Sequence, residues 1–120
     1  MSASDGFIAL LKDLLSDLGE VSARRMFSGA GVYIDGTIFA LVIDDVLYLK
    51  ADEESRGDFE AEGLAPFSFV KQGKRINTSY WQAPAALLDD QPEMQRWAAR
   101  AQQAARAKPA ATRKRKGKAK

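Results

Sequence analysis

GVYIDGTIFALVIDDVLYLK, residues 31–50, decides the fold because it contains three strand-like segments joined by two very short turns. The pairs Asp35-Gly36 and Asp44-Asp45 suit two-residue hairpin turns, and the segments around them are rich in β-branched, aliphatic and aromatic residues. The stretch therefore predicts a three-stranded antiparallel meander.

The side chains of this meander divide between two faces, because residues opposite each other across a two-residue hairpin share a face. We expect one face to hold Val32, Phe39, Leu41, Ile43, Val46 and Tyr48. The other is expected to hold Tyr33, Ile38, Ala40, Val42, Leu47 and Leu49. Both faces are apolar, so the sheet needs cover on both sides. The first and last helices of the chain are expected to supply it, with a second subunit as the alternative.

Helical patterns flank the meander. Residues 7–18 carry apolar side chains at helical spacing, between an N-cap at Ser4 or Asp5 and an end at Gly19. An acidic helix is predicted over residues 52–62. A second hairpin, PFSFVK and RINTSYW, comes next, and a last helix begins at Asp90. The fold class is therefore α+β, with element order α-β-β-β-α-β-β-α and a five-stranded antiparallel sheet, in two layers or partly covered.

Composition limits the chemistry and divides the chain. The 120 residues fit one domain, and they include no cysteine and no histidine, which excludes disulfides, thiolate metal sites and histidine general bases. Seven of the 18 basic residues and none of the 16 acidic ones lie beyond residue 107, so residues 1–107 carry a net charge of −5. We expect a domain over residues 1–107, a disordered basic tail over residues 108–120 and a cytoplasmic location.

The arginines and glycines of RRMFSGAG, residues 24–31, suggest a phosphate cradle, but the context is the wrong one. Phosphate cradles use the amides of a helix that follows a strand, whereas Gly29-Ala30-Gly31 is expected to follow a helix and enter a strand. We interpret these glycines as sites of positive φ or close backbone approach, with anion binding as the alternative. Arg24 and Arg25 are expected to pair with the acidic helix.

Two further patterns leave alternatives open. Ser79-Tyr80-Trp81 is either an aromatic recognition patch or, as we expect, a segment packed under the last helix. The pairs Asp44-Asp45 and Asp89-Asp90 lack the further oxygen ligands of a cation site, so we interpret them as turns and caps. No metal or cofactor is expected.

RRMFSGAGVYIDGTIFALVIDDVLYLKADEESRGDFEAEG, followed by PFSF and SYW, resembles the N-terminal domain of the TfoX family, also called Sxy, bacterial regulators of DNA-uptake competence. The motifs RMF-x-G-x-G, DG-x-x-FAL, LYLKAD and SYW occur in order, and the resemblance covers about residues 5–107. It implies the element order given above, no catalytic residues, and a role in transcription control, alongside the cyclic-AMP receptor protein at competence promoters.

Together these features predict a non-enzymatic, regulator-like binding module with a protein partner in transcription regulation. The partner is expected to bind around Arg24, Arg25, Tyr33 and Tyr80. The tail is expected to contact DNA phosphates without reading bases, through Lys108, Arg113, Lys114, Arg115, Lys116, Lys118 and Lys120. A tail that only aids solubility, or that folds back on the acidic domain, is the alternative. The competing function is a small-ligand or phosphate-binding protein, or an enzyme, using the Arg24-Arg25 glycine loop.

Overall fold

A computed structural model describes residues 4–26 and 29–111 of the protein. Three helices and six strands are joined by short connections, two of which contain 3₁₀ turns at Ser16–Leu18 and Ala85–Asp89. In chain order the elements are α1 (Asp5–Leu15), β1 (Val21–Met26), β2 (Gly29–Ile34), β3 (Thr37–Ile43), β4 (Val46–Lys50), α2 (Glu53–Ala61), β5 (Pro66–Lys71), β6 (Lys74–Gln82) and α3 (Gln91–Ala111). The strands form one sheet in the order β1-β2-β3-β4-β6-β5, and each neighbouring pair is antiparallel.

The sheet has six strands rather than the predicted five, and the predicted element order is wrong at one point. The additional strand is β1, which pairs with β2 along its whole length at the edge of the sheet. Its sequence, VSARRM, holds two arginines and a serine, so the apolar pattern that marks a strand is weak there. Gly29 therefore follows a strand, and the prediction that it follows a helix is wrong.

The predicted hairpin turns are confirmed. Asp35 and Gly36 have φ of 51° and 85°, and Asp44 and Asp45 have φ of 55° and 57°. Two consecutive residues with positive φ match the twist of the flanking strands, which explains why Asp and Gly occupy these positions. A third turn of the same kind joins β5 to β6 at residues 72–73.

Predicted caps define the helix boundaries. The Ser4 hydroxyl accepts a hydrogen bond from the Phe7 amide at the start of α1. Asp52 and Ser55 form a reciprocal capping box at the start of α2. At the start of α3 the Asp90 carboxylate accepts a bond from the backbone amide of residue 93 at 3.2 Å, which confirms a cap at this position.

The three helices lie on the same face of the sheet and share one apolar core with it. In that core Leu11 and Leu15 of α1, Phe59 of α2 and Met94 of α3 are all buried. The sheet contributes Ala30, Val32, Ile34, Phe39, Ala40, Val42, Leu47, Leu49 and Trp81. The architecture is thus a two-layer α+β sandwich, with helices above one face of the sheet.

A β-bulge between Val32 and Tyr33 changes which side chains share a face. Val32 lies opposite Ala40, and Tyr33 lies opposite Ile38, so Phe39 has no partner of its own and turns into the core. The predicted division of β3 and β4 agrees with the observed register from Ala40 onward. It is wrong at Val32, Tyr33, Ile38 and Phe39, which lie next to the bulge, because a bulge reverses the alternation of side chains.

The prediction that helices cover both faces is also wrong, since α1 and α3 pack against each other on one side. We call the opposite side the open face. Its side chains, placed by strand register and by ring contacts, include Arg24, Tyr33, Ile38, Leu41, Ile43, Val46, Tyr48, Phe67, Phe69, Lys71, Lys74, Ile76 and Tyr80.

The end of the chain is described only in part. Helix α3 continues past the predicted domain boundary at Ala107 to Ala111, so the backbone of Lys108 is helical. The predicted phosphate contacts at residues 113–120 lie outside the described residues. Within the described ranges, no helix is long and apolar enough to cross a membrane.

The open face as a candidate functional site

The open face is aromatic and aliphatic at its centre and cationic at its margins. Strands β3 and β4 supply aliphatic side chains and Tyr48, and the β5–β6 hairpin continues the face because the Phe67 ring meets the Tyr48 ring edge-on, with centroids 5.3 Å apart. The side chains named for this face include five aromatic rings and three cations, and none of them is a carboxylate. It is therefore suited to a partner with apolar or aromatic groups and negative charge.

One corner of the open face joins three of the predicted partner-binding residues. Arg24 lies opposite Gly31 in the register, so its side chain runs beside Tyr33, and its guanidinium carbon lies 5.7 Å from the Tyr33 ring centroid. This is a cation–π distance. Tyr80 lies on the same face on β6, with β3 and β4 between it and the strand that carries Tyr33.

Tyr80 interacts with a different cation, Lys50. Lys50 lies opposite it on β4, with its ammonium 5.2 Å from the Tyr80 ring centroid. The Lys50 ammonium donates a hydrogen bond to the Ser79 hydroxyl, which holds this buried lysine in place. Burial raises the pKa of the Tyr80 phenol above its ordinary value of 10.0, and the nearby Tyr33 phenol raises it further.

The raised pKa predicts a late step in an alkaline titration. Folding favours the protonated phenol, so the contribution of Tyr80 to stability is present below pH 10.0 and is lost as the pH rises through the higher pKa of the folded state. Ultraviolet difference spectra should therefore show a tyrosine step above pH 10.0. The Tyr80→Phe variant should lack that step. A native titration without any step above pH 10.0 would contradict this assignment.

Arg25, the fourth predicted partner-binding residue, lies away from this corner. It alternates with Arg24 along β1, so it is directed to the helix side, where its guanidinium pairs with the Asp5 carboxylate of α1. The prediction that the two arginines pair with the acidic helix is wrong. The cation that meets α2 is Arg100 of α3, which pairs with Asp58.

Gly29 and Gly31 lie in β2, which pairs with the preceding strand β1, and they do not lead into a helix. A Cβ atom added to Gly29 would lie 2.0 Å from the Val42 carbonyl oxygen on the neighbouring strand. The close backbone approach predicted for these glycines is therefore confirmed at Gly29. No helix amides are aimed at this position, so the geometry of the described residues does not resemble a phosphate cradle.

The Ser79-Tyr80-Trp81 segment is divided between the two sides of the sheet. Trp81 is buried on the helix side, as expected, and its ring centroid lies 6.1 Å from that of Phe59 on α2, whereas the expected neighbour was the last helix. Tyr80 alternates to the open face, so the packing prediction is wrong for it. Strand alternation across β6 explains both outcomes.

A cleft of about 600 Å³ lies between α2 and the β5–β6 hairpin on the helix side, and no sequence pattern indicates it. Its lining includes the acids Asp52, Glu53 and Glu60 together with Arg56 and Asn77. The structure places no group of three or more potential metal ligands together within the residues that it describes. Polar side chains at a wide mouth fit water or a charged segment of another chain better than an enclosed small ligand.

A two-layer α+β domain with one uncovered, acid-free sheet face is the class of structure that these observations define. The chain belongs to the TfoX N-terminal domain family, whose profile matches residues 13–105. It is 27% identical over 85 residues to Protein Sxy of Escherichia coli (strain K12), covering 71% of this chain and 41% of that protein.

A second relative is the DNA transformation protein TfoX1 of Aliivibrio fischeri (strain ATCC 700601 / ES114). The two are 30% identical over 83 residues, which is 63% of this chain and 40% of the relative. The chain thus spans about two-fifths of the length of the curated relatives it matches. Both comparisons confirm the resemblance to competence-associated TfoX and Sxy proteins.

Proposed function

We propose that this protein is a non-enzymatic, regulator-like binding module that acts in the cytoplasm with a protein partner in transcription regulation. The observation that carries the proposal is the open face, a sheet surface that has no helical cover within residues 4–26 and 29–111 and no carboxylate among its named side chains. Membership of the TfoX N-terminal domain family supports it, since neither relative's name states a reaction and one of them is a DNA transformation protein.

The corner of Arg24, Tyr33 and Tyr80 is the proposed centre of the protein contact. Tyrosine and arginine side chains supply much of the binding energy in protein interfaces, particularly where neighbouring groups exclude water. Here the guanidinium already stacks on a ring, so little side-chain freedom is lost when a partner covers the pair. Arg25 is left out of the contact because it pairs with Asp5 on the other side.

The basic tail is proposed to add affinity for DNA phosphates through Lys108 and the cations of residues 113–120. Such contacts carry no sequence information. They also weaken as the salt concentration rises: for each neutralised phosphate, the logarithm of the binding constant falls by about 0.9 per tenfold increase in salt. The tail would then hold the protein near DNA, while the open face selects its protein partner.

Small-ligand or phosphate binding at the Arg24-Arg25 loop is the competing function. The two arginines diverge in the structure, one to each side of the sheet, and each has an interaction there. They do not converge on one anion, so the geometry favours the binding module. Stabilisation by a nucleotide or phosphorylated metabolite, lost in Arg25→Ala, would reverse that preference.

The test is capture of partners from a nuclease-treated lysate by the full-length protein and by two variants. Arg24→Ala should weaken retention of the captured partner about thirtyfold, the effect of losing ~2 kcal/mol at an interface hot spot. Arg75→Ala is the matched control, because Arg75 lies on the opposite side of the sheet and donates to the Ser68 hydroxyl. Equal retention by both variants would contradict a contact centred on Arg24.

A further inference from the structure

A run of aromatic rings extends along the open face away from the Arg24 corner. The rings of Tyr48 and Phe67 have centroids 5.3 Å apart, and those of Phe67 and Phe69 are 6.4 Å apart with an interplanar angle of 33°. Strand register then places Lys71 opposite Lys74 at the end of this run, on the same side as Phe69. We call Tyr48, Phe67, Phe69, Lys71 and Lys74 the aromatic stripe.

The stripe is exposed to a degree that core packing does not explain. Phe69 is 42% exposed and its cross-strand partner Ile76 is 39% exposed. These two side chains share the open face, whereas the other exposed large apolar side chains in the described part of the chain, Val70 and Leu10, lie elsewhere. Water contact at an aromatic ring is unfavourable, so these side chains indicate a surface that becomes covered by a partner.

The hairpin is also positively charged within an otherwise acidic domain. From Pro66 to Gln82 it carries Lys71, Lys74 and Arg75 and no acidic residue, whereas residues 1–107 have a net charge of −5. Two of these cations lie on the open face beside the rings. A partner that matches the stripe therefore needs flat apolar groups and negative charges at short intervals.

Single-stranded nucleic acid has both properties. Proteins bind it by stacking unpaired bases on aromatic side chains of a sheet while cations follow the phosphates. We propose that the aromatic stripe binds single-stranded nucleic acid, with Phe67 and Phe69 contacting bases and the Lys71–Lys74 pair contacting phosphates. Duplex DNA fits less well because its base faces are stacked on each other and unavailable to the rings.

Two other occupants are disfavoured by the same charges. A second copy of this chain, facing the first through its open face, would bring the lysines and Arg24 of both copies together without a carboxylate on either face. A membrane would favour apolar side chains at the tip of the hairpin, whereas the tip is Gln72-Gly73 between two lysines.

This site is distinct from the protein contact and from the basic tail, so it can be tested without either. The experiment uses the full-length protein with the Lys and Arg residues of positions 113–120 replaced by glutamine, which removes tail binding. Fluorescence anisotropy at low salt measures its affinity for a labelled oligothymidylate of about 12 nucleotides, a length within the range of single-strand sites. An abasic strand of equal length serves as the comparison, since it keeps the phosphates and lacks the bases.

The expected result is tighter binding of oligothymidylate than of the abasic strand or of a duplex. Phe69→Ala should weaken oligothymidylate binding roughly 5- to 150-fold, the range for one lost stacking partner, and should leave abasic binding nearly unchanged. Val70→Ala is the matched control, because Val70 is the next residue of β5, is 66% exposed and lies on the other side of the hairpin. The Lys71→Gln and Lys74→Gln double variant should weaken binding of both strands.

Three results would overturn the proposal. One is equal affinity for oligothymidylate and the abasic strand, because no base would then be stacked. Another is equal binding by Phe69→Ala and Val70→Ala. The third is binding of a polyglutamate peptide as tightly as the oligonucleotide, because the stripe would then be assigned to an acidic protein partner. Loss of lysate partners in Arg24→Ala bears on the protein contact alone, so the two proposals fail separately.

Discussion

Gly29→Ala is expected to prevent stable folding, or to lower the free energy of unfolding by about 3 kcal/mol or more. The new Cβ would lie 2.0 Å from the Val42 carbonyl oxygen, and that oxygen belongs to the backbone of a central strand. Backbone inside a sheet cannot move aside without breaking ladder hydrogen bonds. Chemical denaturation followed by circular dichroism measures the effect.

Gly57→Ala is the matched control for that substitution. Gly57 lies within α2, it is exposed, and an added Cβ would meet no atom within 4 Å. Because alanine is the better helix former, this variant should be more stable than the native protein by roughly 0.5–1 kcal/mol. Similar midpoints for the two variants would show that β2 and β3 do not approach each other as described.

Phe59→Ala is expected to cost about 3–5 kcal/mol of stability. Phe59 packs α2 against the rest of the domain. Its ring centroid lies 6.1 Å from that of Trp81 on the sheet and 5.0 Å from that of Trp97 on α3. Removing it leaves a cavity between three elements. Denaturation midpoints give the cost, and tryptophan fluorescence reports the change around the two indoles.

Phe69→Ala supplies the comparison, because it removes the same side chain from the open face. Phe69 is 42% exposed, whereas Phe59 is 3% exposed, so its loss should change the free energy of unfolding by less than about 1 kcal/mol. The same variant is expected to bind oligothymidylate weakly. A large loss of stability in Phe69→Ala would mean that the open face is part of a core, and the binding proposals would then lose their basis.

Local chemistry made much of the fold predictable. Asp35-Gly36 and Asp44-Asp45 have the positive φ values that their residue types favour, and the caps at Ser4 and Asp52 satisfy helix amides next to them in sequence. These interactions involve residues at most a few positions apart, so a single sequence reveals them.

Longer-range geometry was not predictable in the same way. Strand β1 was missed because an edge strand needs few apolar residues, and VSARRM offers only two apolar side chains, Val21 and Ala23, to the helix side. The bulge at Val32 and Tyr33 has no sequence signal of its own, yet it moves Phe39 into the core. Placing all helices on one face depends on how α1 and α3 pack together, which apolar periodicity does not specify.

The candidate site shows the same division. Of the residues predicted as a partner surface, Arg24, Tyr33 and Tyr80 share the open face, whereas Arg25 alternates to the other side and pairs with Asp5; partner binding there stays a prediction. The aromatic stripe was missed, although the alternation of Phe67 and Phe69 in PFSFVK is a detectable signal. The pairing of β4 with β6, which brings the hairpin beside Tyr48, could not be predicted from the sequence.

The uncovered state of the sheet is the claim on which both binding proposals depend. The chain contains no cysteine, so a single introduced thiol can report on each face. Leu41 lies on the open face opposite Tyr48, and the next residue, Val42, is fully buried on the helix side.

Thiol labelling of the folded Leu41→Cys and Val42→Cys variants is therefore the most direct measurement. The account predicts that the thiol at position 41 reacts readily in native conditions, while the thiol at position 42 reacts only when the domain unfolds. Equal protection of both thiols would show that the second face is covered, and it would contradict the assignment of that face to partners.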